Sequence, residues 1–221
     1  MSKRYDKIIS WFKENMPVAQ SELNFNSPYQ LIVAVMLSAQ CTDKRVNMVT
    51  PALFEKYPSI EDLAAAAPEE ILSFIHSISY PNSKARHLSE MARMVLSDFN
   101  GQIPHSSELL VKLPGVGRKT ANVVASIVNN EPVIAVDTHV FRVARRLGLS
   151  KGKTPLAVEL DLEKHIDKSI RPIAHHWLIL HGRYVCTARK PKCETCGISE
   201  SCAYHERLRR NIPGVQKLPE A

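Results

Sequence analysis

The chain has 221 residues, enough for one large domain or two small ones, and its 44% hydrophobic and 23% charged residues exclude extensive disorder. Twenty-nine Lys and Arg against 22 Asp and Glu leave a net charge of +7, which favours nucleic acid as a partner. The longest apolar run, Leu31 to Leu37, falls far short of the ~18 residues of a membrane span, and Met1 to Ile9 lacks the apolar core of a secretory signal, so a cytoplasmic protein is expected.

The pattern predicts helix nearly throughout, hence an all-α fold. Glycines number 8, no Asn-Gly or Asp-Gly turn separates alternating runs, and prolines fall mostly between periodic segments. Cys41, after the apolar run, reads as an ordinary buried thiol. Ser106 or Ser107 can cap a short helix that Pro114 ends. Gly115 and Gly117 then allow positive φ and a close backbone approach, and a second helix starts at about Gly117. Ala121, Val124, Ala125 and Val128 form its apolar stripe. Free N–H groups at that start would suit a phosphate, although a plain αα-hairpin with turn glycines explains the same residues. Lys119 opposes the helix dipole and falls in a row with Asn122 and Ser126, which reads as the face away from the core. Partial desolvation there would favour the neutral amine that a nucleophilic lysine requires. A solvated lysine or a simple phosphate contact is the alternative.

Asp137 ends the apolar run Val133 to Val136 and precedes the next helix, as an N-cap does. That helix sets Val140, Phe141 and Ala144 against Arg142, Arg145 and Arg146, which form either a solvated face or a surface for a nucleic-acid backbone. Gly148 stops it. Thr154-Pro155 opens a helix towards Lys168. Arg171-Pro172 opens another, with Ile173, Trp177 and Leu180 on one face. His139, His175, His176 and His181 lack a metal-ligand set and read as structural histidines. Beyond Tyr184 the apolar stripe ends and Cys186-x6-Cys193-x2-Cys196-x5-Cys202 begins. A segment with no core of its own needs a staple, and four thiols without an export signal favour a metal or cluster over disulfides. One Cys-x2-Cys knuckle where structural zinc usually has two, and a spacing unlike the ferredoxin patterns, leave zinc and iron–sulfur both open.

Together these segments resemble the bacterial endonuclease III family of the helix-hairpin-helix glycosylase superfamily. The match runs in order through Leu37 to Gln40 with Thr42-Asp43, Asn82 to Ala85, Leu113 to Val124, Ile134 to His139, His175 to Arg183 and the four-cysteine segment. The resemblance implies a six-helix domain over residues 21–132 and a cluster-bearing helical domain from 1–20 plus 133–221, flanking a DNA-binding cleft. It implies a [4Fe–4S] cluster on Cys186, Cys193, Cys196 and Cys202. It implies a monomeric base-excision repair enzyme that flips oxidised pyrimidines out of duplex DNA, removes them, and cleaves abasic sites by β-elimination. Lys119 would attack the sugar C1′ with the help of Asp137. Gly115, Val116, Gly117 and Thr120 would hold backbone phosphate, His139, Lys190 and Lys192 would add DNA contacts, and Gln40 would fill the gap left by the flipped base. Ser79-Tyr80-Pro81 departs from the family's common Gly-Leu-Tyr. Tyr80 is expected to act as a stacking wedge, with Pro81 biasing it towards an extended backbone; the alternative is that Tyr80 packs under the loop and Gln40 alone fills the gap.

Two other functions compete with this reading. A mismatch adenine glycosylase of the same superfamily generally lacks the hairpin lysine and carries a further C-terminal domain, so Lys119 and an end at Ala221 argue against it. A hairpin module that only binds DNA would need no Asp–Lys pair.

Overall fold

Among the described residues, 3–210 of this computed structural model, all regular structure is helical. The ends of the expected cluster-bearing domain, residues 1–2 and 211–221, lie outside the described residues. No described helix is long and apolar enough to cross a membrane. Helix α1 (Lys3–Asn15) belongs to one compact unit with the chain from Ile134 onward; Ser21–Val133 forms the other.

In the Ser21–Val133 unit, α2 (Pro28–Ser38) is the centre. Its residues Leu31 to Leu37 are all buried, which explains an uninterrupted apolar run where a surface helix would show a stripe. Ser27 caps it by accepting from the Gln30 N–H, with Pro28 in the first turn. Around it lie α3 (Asp43–Lys56), capped by Thr42, and α4 (Ile60–Ala65), opened by a reciprocal Ser59–Asp62 capping box. Then come α5 (Pro68–Ile75), α6 (Pro81–Phe99), the single turn α7 (Ser107–Leu110) and α8 (Arg118–Asn129). That makes seven helices, where the resemblance implies six; the short α7 has only four residues. Ala121, Val124 and Ala125 of α8 are buried against this core, and Val128 packs on it partly covered.

The second unit combines α1 with α9 (Thr138–Leu147), α10 (Pro155–His165), α11 (Arg171–Tyr184) and α12 (Ala203–Arg210). Short 3-10 turns at Lys168–Ile170, Cys193–Thr195 and Ser199–Ser201 join them. Phe12 of α1 stacks on Trp177 of α11 with ring centroids 5.6 Å apart, and the Trp177 Nε1–H donates to the Met16 carbonyl at 2.7 Å. Gly182 lets α11 approach α9: a Cβ there would lie 2.9 Å from the His139 Cβ. Helix α9 stops at Gly148, whose φ of +81° admits glycine readily.

Two expectations for this unit need correction. Helix α10 ends at His165, because Ile166 is extended and Asp167 caps a separate 3-10 turn. Helix α11 buries Ala174, His175, Trp177, Leu178 and His181, while Ile173 and Leu180 are only partly covered. The inward face is rotated because histidines belong to it, and counting apolar residues cannot see that. His175 Nδ1 lies 2.9 Å from the Ala135 carbonyl. The structural reading of His175 and His181 agrees with their burial.

Burial, and then the Arg183 charge, push His176 down to about 4. Its folded form therefore binds a proton less readily than the unfolded chain, whose histidines titrate near 6.5. Stability should hold above about pH 6.5 and fall as pH drops towards 4, by about 2 kcal/mol between pH 7.5 and 5 from this group. Urea midpoints at the two pH values should show that loss in the wild type and a correspondingly smaller one in His176→Gln; equal losses would contradict it.

Candidate functional site

The hairpin is built by one required glycine and one permissive one. Gly115 has φ +74°, and a Cβ there would lie 2.7 Å from the His87 Cβ of α6, so both conformation and space demand glycine. Gly117 does not adopt the expected positive φ: it sits at −84° as the N-cap of α8, with nothing within 4 Å of a hypothetical Cβ. Its contribution is openness, since no side chain caps the first turn of α8. Val116 is buried, so only its backbone is available to a ligand, while Thr120 is half-buried.

Lys119 is exposed on that first turn, so the desolvation expected of it is not found in the unit that carries it. The row it shares with Asn122 and Ser126 also turns out differently. Asn122 and Ser126 are 3% and 2% exposed, and among the described residues the Asn122 Nδ2 and Ser126 Oγ have no hydrogen-bond partner. Helical spacing places residues on a face, but only packing decides whether that face is covered.

Gln40 and Tyr80 are brought together. Both are exposed, Tyr80 by 64%, and both have φ of 55° in the left-handed region, a strain of roughly 1–2 kcal/mol each for a residue with a Cβ. The extended backbone expected for Tyr80 is thus corrected. Proline disfavours the right-handed α region for its predecessor, and the left-handed region satisfies that steric rule while reversing the chain into α6. The Ser79 hydroxyl donates to the Gln40 carbonyl at 2.8 Å. Lys84, 8% exposed, donates from Nζ to the carbonyls of Leu37 at 2.8 Å and Ala39 at 2.6 Å, capping the C-terminus of α2. Its own N–H donates to the Tyr80 carbonyl at 3.2 Å. Burial lowers the Lys84 pKa, and the nearby Cys41 opposes that shift. Cys41 itself is only half-buried, not the enclosed thiol expected.

Asp137 is the N-cap of α9, its Oδ1 accepting the Val140 N–H at 2.7 Å. Among the described residues Oδ2 makes no hydrogen bond, so a cap and a free carboxylate oxygen coexist in one half-buried side chain. His139 Nδ1 faces the Arg142 guanidinium at 3.1 Å. Lys119 and Asp137 belong to different units.

Cys186, Cys193, Cys196 and Cys202 line one solvent-open concavity of about 300 Å³. No three described His, Cys, Asp or Glu side chains close on one point as ligands of a single ion do. Burial, followed by the neighbouring thiols, raises the Cys193 pKa and contributes with them to the rise at Cys196. Four thiolates gathered there need a cationic, thiophilic group, which suits iron–sulfur chemistry. His181, held neutral with its pKa pushed down to about 4 by burial, lies 3.7 Å from the Cys196 sulfur. Lys190 and Lys192 are exposed on the loop between the first two cysteines.

Two arginines assigned by sequence to a solvated or DNA-facing surface instead fasten this segment. Arg146 donates to the Thr187 and Ala188 carbonyls at 2.7 and 2.8 Å and to the Cys186 sulfur at 3.5 Å. Arg142 reaches the Cys186 and Gly182 carbonyls at 3.1 and 2.8 Å. Their i, i+4 spacing was the available signal, because it points both forks the same way. Arg145 is exposed and lies over the Phe141 ring. Ser79 and Lys84 carry no such signal, since their partners are backbone carbonyls about 40 residues away or more.

Residues 33–168 match the HhH-GPD superfamily of base-excision DNA repair proteins, and residues 186–202 match the iron–sulfur binding domain of endonuclease III. Endonuclease III of Rickettsia felis is 46% identical over 212 residues, 96% of this chain and 97% of its own length. That of Escherichia coli K12 is 43% identical over 202 residues, 91% and 96% of the two chains. Among solved structures, a trapped endonuclease III–DNA covalent intermediate, an estranged-adenine complex, superposes with a TM-score of 0.87. It shares 41% identity and covers 94% of this chain and 99% of that one.

Arg146→Ala should leave the helical signal unchanged while a chelator strips iron several-fold faster. Arg146→Lys should restore only part of the protection, because a single ammonium lacks the planar fork whose two nitrogens reach the Thr187 and Ala188 carbonyls separately. Identical release from all three proteins would show that the arginine does not secure the segment.

Proposed function

The chain belongs to the HhH-GPD superfamily of base-excision DNA repair proteins and, within it, to the endonuclease III family, and on that footing we propose how its residues divide the work. It is a DNA N-glycosylase that also cleaves the abasic site by β-elimination through a lysine Schiff base, and DNA is its partner. Oxidised pyrimidines as the bases removed, and action as a monomer, are part of the proposal. The observation that carries the assignment is Lys119 itself. It is an exposed cation on the first turn of an uncapped helix, where the dipole disfavours it and no packing needs it.

With the damaged nucleotide flipped out, the Lys119 Nζ attacks C1′, and the bond from C1′ to the base breaks. The base leaves with the bonding pair. Opening of the sugar ring turns the new bond into a Schiff base, and loss of a C2′ proton then expels the 3′ phosphate. The Asp137 carboxylate assists by accepting the amine proton and by stabilising positive charge as it develops on the sugar. The free N–H groups of the hairpin turn, with Gly115, Val116, Gly117 and Thr120, hold a backbone phosphate. His139, Lys190 and Lys192 add contacts to the strand. Gln40 enters the vacated position in the stack, and Tyr80 stacks beside it.

Cys186, Cys193, Cys196 and Cys202 would hold the [4Fe–4S] cluster. It would supply the bonded staple that a segment with too few apolar residues for a core requires.

Borohydride reduction on a duplex with an abasic site tests the assignment. Lys119→Ala should abolish the trapped covalent species and strand cutting without loss of helicity; trapping that persists would move the nucleophile elsewhere. Asp137→Asn retains a capping side chain and so should leave the melting temperature nearly unchanged, while turnover falls by about 100-fold or more. A stability loss with turnover intact would reduce Asp137 to its capping role.

A further inference from the structure

Two surface loops of the Ser21–Val133 unit share an unusual construction. One follows α2 and ends in Gln40; the other precedes α6 and ends in Tyr80. Each presents an exposed side chain from a left-handed residue that is not glycine. Such strain persists only where neighbouring contacts over-determine the backbone. Here the Lys84 ammonium bonds the Ala39 carbonyl immediately before Gln40, while the Lys84 N–H bonds the Tyr80 carbonyl. Lys84 is buried and serves to close α2. The remaining link, from the Ser79 hydroxyl to the Gln40 carbonyl at 2.8 Å, lies at the surface. A hydroxyl bond open to water adds little to folding, yet this one joins the residue next to Tyr80 directly to the residue that carries the other exposed side chain.

We propose that Ser79 is a positioning residue that locks the Gln40 and Tyr80 loops together, so that an amide and an aromatic ring enter the opened DNA stack as one preorganised pair. The inference rests on the gap-filling reading given above. Its physical basis is entropic. Two independent loops would each lose freedom when ordered in the gap, whereas loops already joined lose less. The pairing also suits the chemistry of a stack with one base missing: the Tyr80 ring can cover a neighbouring base face, and the Gln40 amide can donate to and accept from an unpaired base edge. A glycine in place of Ser79 could not make this link, which needs the hydroxyl.

The test is a double-mutant cycle with cluster-loaded protein on two duplexes of one sequence, one undamaged and one carrying a tetrahydrofuran abasic analogue. Ser79→Ala should weaken binding to the abasic analogue about five-fold, equivalent to roughly 1 kcal/mol, with a change of about two-fold or less on the undamaged duplex. Ser79→Thr should restore binding. Added to Gln40→Ala, Ser79→Ala should cost less than it does alone, because the bond to the residue-40 carbonyl then has only the Tyr80 ring left to position. Equal losses on both duplexes, full additivity in the double variant, or no loss in Ser79→Ala would each overturn the proposal. If Gln40→Ala weakens abasic binding while Ser79→Ala does not, positioning fails and gap filling stands. If neither Gln40→Ala nor Tyr80→Ala weakens it, gap filling itself fails and the positioning role falls with it.

Discussion

A helix buried on every side cannot leave its last carbonyls bare, and in this protein the Lys84 ammonium answers that constraint for α2. The charge is tolerated inside because two carbonyls of a helix C-terminus receive it, where the dipole is negative. Lys84 lies in the first turn of α6, so capping α2 also fixes where α6 begins. The residue that must reverse the chain just before it is Tyr80, and the residue that must leave the capped end of α2 is Gln40. Two exposed side chains therefore take their places from one buried amine, and the surface bond from Ser79 completes the link.

The cluster segment meets a different constraint with similar means. Its thiols would hold the proposed cluster, but the backbone between them has little apolar side chain to bury. Arg142 and Arg146 supply donors from α9 to its carbonyls. Gly197 completes the fit: a Cβ there would lie 2.5 Å from the Trp11 ring of α1, so helix and loop meet without a side chain between them. The exposed Lys190 and Lys192 are thus presented by a loop held from below by guanidinium forks.

The hairpin shows local rules giving way to function. Gly115 is dictated by conformation and by the His87 side chain, whereas Gly117 is dictated by neither and leaves the start of α8 uncovered. Lys119 then stands where the helix dipole disfavours a cation. Beneath it, Asn122 and Ser126 are buried polar groups on a helix whose opposite stripe is apolar. Residues that break the rules of capping and burial cluster within three turns of one helix, which is where a working surface is expected.

Several features were legible in the linear chain because their causes are local. The all-α class followed from periodicity and the scarcity of turn glycines, and the helix starts at Thr154 and Asp137 from capping chemistry. The thiols of Cys186, Cys193, Cys196 and Cys202 stood out because a segment so poor in apolar residues needs a bonded staple. Spacing could not choose between zinc and iron–sulfur; family resemblance did. Tertiary structure alone decided which faces are covered and which distant groups meet. It buried Asn122 and Ser126, turned the inward face of α11 towards its histidines, and converted Arg142 and Arg146 from an apparent polar face into donors for the cluster loop. It also joined Ser79 to Gln40 and Lys84 to the end of α2. The physical reason is common to all of these. Periodicity and capping depend on neighbours within about one helical turn, whereas a hydrogen bond to a carbonyl forty residues away leaves no trace in the spacing of either partner.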